Sequence, residues 1–159
     1  MPRLRDQAFE SYYDYDDDPL NRLLVPALTC SVRYDRTAGF FSSGALVVAA
    51  AGVSRLLHNG GHMRLLVGAQ LSPNDVTALQ GADRIPEDLL TERLMTALDE
   101  PEGERWRKRL EILAWMVQAG RLELRVAVCA DDDGNPLPGD QGYFHAKEGL
   151  FHDASGDTL

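Results

Sequence analysis

Cysteine is scarce in this sequence, which has only Cys30 and Cys129 among its 159 residues. Two cysteines so far apart supply neither a tetrahedral zinc site nor a framework of disulfide bonds. Both lie in apolar surroundings, so we expect reduced thiols in the core of the fold. This shortage excludes disulfide-rich secreted domains and zinc modules.

Long apolar stretches are also missing. No run of residues approaches the roughly 20 that a membrane-spanning helix requires, and residues 1–7 lack the apolar core of a signal peptide. The composition, 44% hydrophobic and 26% charged, is that of an ordinary folded domain. We therefore expect a cytoplasmic protein.

Basic residues are outnumbered, with 16 Lys and Arg against 25 Asp and Glu and a formal net charge of −9. This net charge argues against binding of nucleic acid by bulk electrostatic attraction, so a polyanion has to be held by a local basic patch or by another domain or subunit. Arg105, Lys108 and Arg109 are candidates for contact with a phosphate backbone, although a solvated helix face is the simpler explanation. The acidic clusters at 14–18 and 131–133 predict solvated loops; the alternative is an arm that mimics phosphate and docks a partner.

Lysine is the rarer basic residue, since only Lys108 and Lys147 occur beside the arginines. Lys147 therefore indicates a need for a compact ammonium rather than for charge in general. It follows His145 by two residues, and side chains at i and i+2 of a strand leave the same face. Together they would present a nucleophile or general acid beside a fixed cation, the pair that phosphoryl chemistry uses. The simpler alternative is an edge strand with exposed polar groups.

Apolar periodicity predicts strands that alternate with helices, and hence an α/β sheet with helix crossovers. Residues 1–28 form an acidic leader with a short helix over 20–28. Strands are predicted over 30–41, with a break at Gly39, and over 62–68, 122–128 and 143–151. The first of the helices between them is capped by Ser42 or Ser43 and ended by residues 59–61; a short helix opened by residues 72–75 and helices over 86–98 and 106–117 follow. A loop over 131–142 precedes the last strand. The core face of the helix over 106–117 should include Val117. Residues 154–157 predict a hairpin turn into a strand that this sequence does not contain.

Alternation along residues 143–151 divides the last strand into two faces. His145, Lys147 and Phe151 lie on one face, and the other, with Leu150 and Glu148, is mostly apolar and should pack on the core. A buried Glu148 would then need a partner. With no further strand beside it, this strand would present unpaired backbone groups, and we expect other protein to cover that edge.

The segment Gly142-Tyr-Phe-His-Ala-Lys-Glu-Gly-Leu-Phe-His-Asp153 resembles the HxK core of the phospholipase D superfamily. More narrowly, it is similar to the phospholipase D-like domains at the N-termini of bacterial DEAD/DEAH-type and SNF2-type helicases of restriction and phage defence. Two earlier blocks, residues 34–43 and 62–68, look like the family's opening strands. The family pattern HxKxxxxD differs here, because its aspartate position is His152 and the aspartate follows at Asp153. The family also uses two HxK motifs and a downstream Gly-Ser-x-Asn segment, whereas this sequence has one motif.

The resemblance implies a mixed sheet flanked by helices over residues 29–159, as a phospholipase D-like domain that is incomplete at its C-terminal end. It implies a phosphodiesterase that needs no metal and no cofactor, namely a nuclease module within a larger helicase-linked protein that acts on DNA rather than RNA. His145 would attack phosphorus and Lys147 would stabilise its oxygens, with a second histidine from a homodimer partner or from further sequence. Asp153, Ser42 and Ser43 are further candidates for the same cleft.

A non-catalytic module that positions DNA or docks a protein is the alternative function. The shifted aspartate, Glu148 and the acidic net charge favour it, whereas the pairing of His145 with Lys147 favours the enzyme.

Overall fold

A computed structural model describes residues 1–39, 50–68 and 115–159 of the chain. These residues contain a four-stranded mixed sheet flanked by helices. The strands are β1 (Ser31–Ala38), β2 (His62–Gly68), β3 (Leu122–Ala127) and β4 (Gly149–Asp153), and the α-helices are α1 (Val25–Cys30) and α2 (Ala50–His58). A π-helix (Leu20–Leu24) leads directly into α1, and short 3-10 helices occupy Leu4–Asp6 and Tyr15–Asp17. In this part of the chain, no helix is long and apolar enough to cross a membrane.

The sheet has the order β3-β2-β1-β4. β2 runs parallel to both of its neighbours, whereas β4 runs antiparallel to β1. The predicted α/β class is therefore confirmed, and β2 spans the predicted residues. The three parallel strands place their carboxyl ends at one edge of the sheet.

One face of the sheet packs on α1 and α2 because apolar residues alternate along its strands. In β2, Met63, Leu65 and Val67 are all buried, whereas Arg64 between them is exposed. The helices contribute Leu28 and Leu56, and burial of a side chain of this size stabilises a fold by roughly 1.5–3 kcal/mol. The predicted apolar face of α2 is confirmed at Val53 and Leu56, which are buried, and at Leu57, which packs partly buried against the core.

The helix ends that the sequence predicts at glycine are confirmed. Gly60, just past α2, has a φ of +76°, a left-handed conformation that favours glycine. Asn59 holds this end in place by donating hydrogen bonds to the backbone oxygens of Thr29 and Ser31, at 2.9 and 3.0 Å. The predicted stop at Gly120 also stands, with φ of +65° after a helical turn at 115–118.

The prediction that Val117 faces the core is wrong. Its side chain is 49% exposed, whereas Met116 is fully buried. In the last helical turn before Gly120, Met116 rather than Val117 packs in the core. The apolar periodicity of the helix therefore predicts the buried residue at this end one position too late. The other predicted core residues of that helix, together with the helices predicted over 72–98, lie outside the described residues.

The strand predicted over 143–151 is shifted, because β4 begins at Gly149 and continues to Asp153. At this end the predicted faces are reversed: Phe151 is buried and Leu150 is half exposed. The reason is that the Phe151 ring stacks on Tyr34 in the core, with centroids 4.5 Å apart. Lys147 and Glu148 are exposed in succession, so the alternation slips by one residue between the two parts of the segment.

The predicted turn at 154–157 is confirmed, with Gly156 at φ of +88°. As expected, no further strand follows it in the described part of the chain, but the last residues turn back and form an isolated bridge between His152 and Thr158. Phe151 N–H donates to Leu159 O at 2.9 Å, and Leu159 N–H donates to Phe151 O at 3.0 Å. The chain therefore returns along β4 and pairs with part of its outer edge.

Asp153 ties the two ends of the chain together. Its carboxylate is buried and accepts hydrogen bonds from the backbone N–H groups of Leu4 (2.9 Å), Ser155 (2.8 Å) and Asp157 (3.0 Å). Burial alone would raise the pKa of this carboxyl, but the three backbone donors and the charge of Arg5 lower it below its ordinary value. The carboxylate is thus matched to an environment of backbone donors and stabilises the fold in its charged form.

We predict that Asp153→Asn destabilises the protein, because the amide NH₂ would meet backbone donors that need an acceptor. Since the folded-state pKa is lowered, the stabilisation is fully present above the unfolded-state pKa of about 3.9 and is lost as the pH falls through the folded value. Thermal unfolding from pH 7 down to pH 3 measures this. The gap in Tm between wild type and variant should narrow toward acid.

Asp132→Asn is the matched control, because this carboxylate is exposed. It should leave the Tm within about a degree of wild type across the same range, as most surface substitutions do. Equal Tm values for Asp153→Asn and wild type at pH 7 would contradict the role given to Asp153.

Candidate active site at the carboxyl edge of the sheet

Residues 142–148 cross the carboxyl ends of β1 and β2. Gly39, directly after β1, donates its N–H to Ala146 O at 2.9 Å, and Thr37 donates its N–H to Glu148 O at 3.0 Å. In open α/β sheets, ligands bind beside the carboxyl ends of the parallel strands. The segment that carries His145 therefore lies at the edge where a binding site is expected.

Two glycines allow this close approach. A Cβ atom at Gly39 would lie 2.5 Å from Phe144 O and 2.7 Å from the Cα of His145. A Cβ at Gly68, the last residue of β2, would lie 3.0 Å from Phe144 O and 2.9 Å from Gly39 O. Real Cβ atoms do not come this close to backbone, so only glycine fits at Gly39 without moving the segment.

The side chains of His145 and Lys147 are both exposed, whereas those of the alternate residues Phe144 and Ala146 are half-buried. The alternation predicted for a strand thus holds over 143–147, even though these residues precede β4. Tyr143 is 57% exposed and packs against His145 with its ring nearly perpendicular, at a centroid distance of 5.4 Å. An imidazole, an ammonium and a phenol ring are accordingly accessible on one short segment.

The loop before this segment is held by its own hydrogen bonds. Leu137 N–H donates to Cys129 O at 2.8 Å, and Gly142 lies against the side chain of Cys129. Asp131 accepts hydrogen bonds from Asn135, through its side chain and its backbone N–H, and from the backbone of Asp133, which together lower the pKa of Asp131. The acid at position 131 therefore shapes a turn, so the acidic cluster at 131–133 is in part a structural feature.

The structure does not bring Asp153 to His145. Asp153 pairs with Ser31 at the start of β1, whereas His145 lies against Gly39 beyond the end of the same strand. At about 3.3 Å per residue, the length of β1 puts roughly 25 Å between the two positions. The other predicted site residues, Ser42, Ser43, Arg105, Lys108 and Arg109, lie outside the described residues.

The face of the sheet opposite α1 and α2 carries charged residues in pairs. Asp35 of β1 accepts two hydrogen bonds from Arg64 of β2, at 2.7 and 2.6 Å, and is also bonded by Arg33. Partial burial alone would raise the pKa of Asp35, but the hydrogen bonds and charges of Arg64 and Arg33 lower it far below its ordinary range. Asp35 therefore fastens β1 to β2 in its charged form.

This charged face also holds Glu148, which corrects the prediction that Glu148 is buried in the core. It lines an open pocket on the sheet together with Asp35, Arg64, Glu123, Arg125 and Leu150. Arg125 pairs with Glu123 across the strand surface, its Nε donating to Oε1 at 2.6 Å. The face mixes both signs of charge and so does not form a basic surface for a polyanion.

Among residues 1–39, 50–68 and 115–159, no group of three or more His, Cys, Asp or Glu side chains is arranged to hold a metal ion. Cys30 and Cys129 are both free thiols, Cys30 buried and Cys129 half-buried. Burial raises the pKa of the Cys30 thiol.

We predict that Gly39→Ala displaces the His145 segment, because the added methyl group would overlap backbone atoms of residues 144 and 145. The side-chain resonances of His145, followed by ¹H–¹³C NMR, should shift in the variant. The backbone N–H of residue 39, which donates to Ala146 O in the wild type, should exchange faster with solvent. Gly134→Asn is the control, since nothing lies within 4 Å of a Cβ there and asparagine tolerates its left-handed φ. Unchanged His145 resonances in a folded Gly39→Ala protein would contradict the close contact.

Comparison of the chain with protein-family models, with curated proteins and with solved structures finds no match. The likeness to phospholipase D-like domains stays a prediction from the residues that suggested it.

Proposed function

We propose that this chain supplies one half of a phosphodiesterase site of the phospholipase D type. The substrate is nucleic acid, and the chain is a module of a larger helicase-linked protein of restriction or phage defence. The observation that carries the proposal is the exposure of His145 and Lys147 together at the carboxyl edge of the parallel strands, on a segment fixed by backbone contact with Gly39 and Gly68. An accessible nucleophile beside a fixed cation at this edge is what the chemistry needs.

The reaction proceeds in two steps, formation and hydrolysis of a phosphohistidine. An imidazole nitrogen of His145 attacks phosphorus in line, so that a nitrogen–phosphorus bond forms as the bond to the leaving oxygen breaks. A second histidine gives its proton to the leaving oxygen and then accepts one from the water that cleaves the phosphohistidine. Lys147 donates hydrogen bonds to the non-bridging oxygens, on which negative charge grows in the transition state.

The second histidine belongs to another copy of the HxK segment, supplied by a homodimer partner or by further sequence of the protein. The charged sheet face holds one histidine, His152, but this side chain does not face His145: its Nε2 is buried 3.6 Å from Asp35, and its Nδ1 lies 3.1 Å from Thr158 Oγ1. The exposed position of His145 leaves room for a second copy to face it.

A non-catalytic module that positions DNA or docks a protein is the second candidate. It is favoured by the placement of Asp153. This carboxylate is hydrogen-bonded to backbone N–H groups at the opposite end of β1 and lies away from the sheet edge that carries His145. In this case His145 and Lys147 would contact phosphate without forming a covalent intermediate. Nuclease assays in the presence of chelator separate the two functions.

We predict that His145→Ala abolishes cleavage of a labelled oligonucleotide in chelator and that Lys147→Ala lowers the rate by roughly 100- to 1000-fold, the cost of removing one transition-state donor. Neither change should alter the Tm by more than about a degree, because both side chains are exposed. His58→Ala, which truncates another exposed histidine at the end of α2, is the control and should retain full activity. Cleavage that survives His145→Ala would remove the phosphohistidine mechanism.

We further predict that Lys147→Arg retains binding while turnover falls. A guanidinium is longer than an ammonium and directs its hydrogen bonds as a planar fork, so it can hold phosphate yet misplace the charge relative to the attacking imidazole. Anisotropy of a labelled oligonucleotide measures binding, and single-turnover cleavage measures the chemical step. An equal loss in both would assign Lys147 to substrate binding alone.

A further inference from the structure

Tyr143 is an aromatic ring that the proposed chemistry does not use. It is one of the few large apolar side chains in the described residues that are more than half exposed, and it lies next to the proposed nucleophile rather than at a remote surface. Isolated exposed tyrosines are ordinary. A tyrosine held against a catalytic imidazole is a different case, because whatever reaches the imidazole also reaches the ring.

The Tyr143 ring contacts His145, and the backbone just before Tyr143 is anchored by hydrogen bonds. Its ring packs on His145 at a centroid distance of 5.4 Å and an interplanar angle of 81°. Just before it, Gln141 and Gly142 both donate their N–H groups to Pro138 O, at 2.9 and 3.2 Å, and Gly142 lies against Cys129. An aromatic side chain on an anchored backbone loses little freedom on binding, since it has only two rotatable bonds.

We propose that Tyr143 stacks on a nucleobase next to the scissile phosphate, so that the substrate of this site is single-stranded nucleic acid. In a nucleotide, the base is joined to its phosphate through one sugar, so a phosphate in contact with His145 brings its base within reach of the adjacent ring. A base inside a duplex is stacked on its neighbours and cannot offer its face, whereas an unpaired base can. This inference rests on the proposed function and names the substrate class of the same site.

The negative net charge of the chain is consistent with a binding affinity that comes in part from stacking. The net charge of −9 weakens attraction to phosphates in general, and the charged sheet face near the site has its arginines paired with carboxylates. A protein of this kind gains little affinity from counterion release. Stacking is independent of net charge and contributes roughly 1–3 kcal/mol per base, which corresponds to about 5- to 150-fold in affinity.

The test measures the anisotropy of a labelled 12-nucleotide strand in chelator at 4 °C, with the strand checked by gel to be intact afterwards. Tyr143→Ala should weaken binding of this strand by about 5- to 150-fold, and Tyr143→Phe should restore it because the ring face is retained. A strand of the same length that lacks its bases should bind wild type and Tyr143→Ala equally. The corresponding duplex should also show no difference between the two proteins. Tyr12→Ala, which removes another exposed ring in the leader, is the control and should bind as wild type does.

Four outcomes would overturn the inference. Equal binding of the strand by wild type and Tyr143→Ala would show that the ring makes no contact. An equal loss on the base-free strand would mean that the ring acts by positioning His145, and failure of Tyr143→Phe would assign the effect to the hydroxyl group. Binding of phosphatidylcholine vesicles in preference to the strand would make the ring a contact for a quaternary ammonium headgroup.

The two proposals fail separately in these experiments. Cleavage of single strands and duplexes that is unaffected by Tyr143→Ala would leave the phosphodiesterase in place and remove the stacking. Ring-dependent binding of the strand with no cleavage by wild type would leave the stacking in place and favour the non-catalytic function.

Discussion

The structure depends on a backbone contact between residues 142–148 and the ends of two parallel strands. Gly39 and Gly68 have no Cβ, and the chain at Phe144 and His145 occupies the space that side chains would fill. Two ladder hydrogen bonds, from Thr37 and Gly39, fasten the same segment. Since these contacts involve backbone rather than side chains, they fix the backbone of His145 and Lys147 and leave both side chains exposed. The site is therefore held by the sheet itself.

Buried and half-buried carboxylates hold the rest of the sheet together. Asp153 joins β4 to the N-terminal segment through three backbone donors, and Arg5 adds an ion pair to Asp157 at 2.7 Å. On the charged face, Asp35 bridges β1 and β2 through Arg64. Both carboxylates have pKa values lowered by their partners, so the same two groups that organise the sheet make its stability sensitive to acid. Their role is structural.

Local signals in the sequence predicted much of this architecture. The limits of β2 follow from an apolar alternation bounded by glycines, and the end of α2 follows from Asn59 and Gly60, because both patterns depend on neighbours in the chain. The limits of β4 could not be predicted in this way. Its faces depend on the stacking of Phe151 on Tyr34, which is a contact between strands distant in sequence, and on the slip in alternation at Lys147 and Glu148.

The candidate site was predicted in part for the same reason. Spacing alone placed His145 and Lys147 on one exposed side, since alternation is local. The separation of Asp153 from them required the antiparallel register of β4 with β1, which sets the aspartate beside Ser31. The roles of Gly39 and Gly68 required knowledge of which segment crosses the sheet edge; a glycine directly after each strand was the signal that could have indicated them.

The central claim is that His145 is a nucleophile presented at this edge. Its most direct test is to mix the protein with a labelled single strand in chelator, to quench within milliseconds to seconds in alkaline denaturant, where phosphohistidine survives, and to map the adduct by mass spectrometry. The account predicts a nucleotide joined through phosphorus to His145, which forms and decays at the rate of cleavage and is absent from His145→Ala. Cleavage at the same rate with no adduct on His145, or with the adduct on another residue, would contradict it.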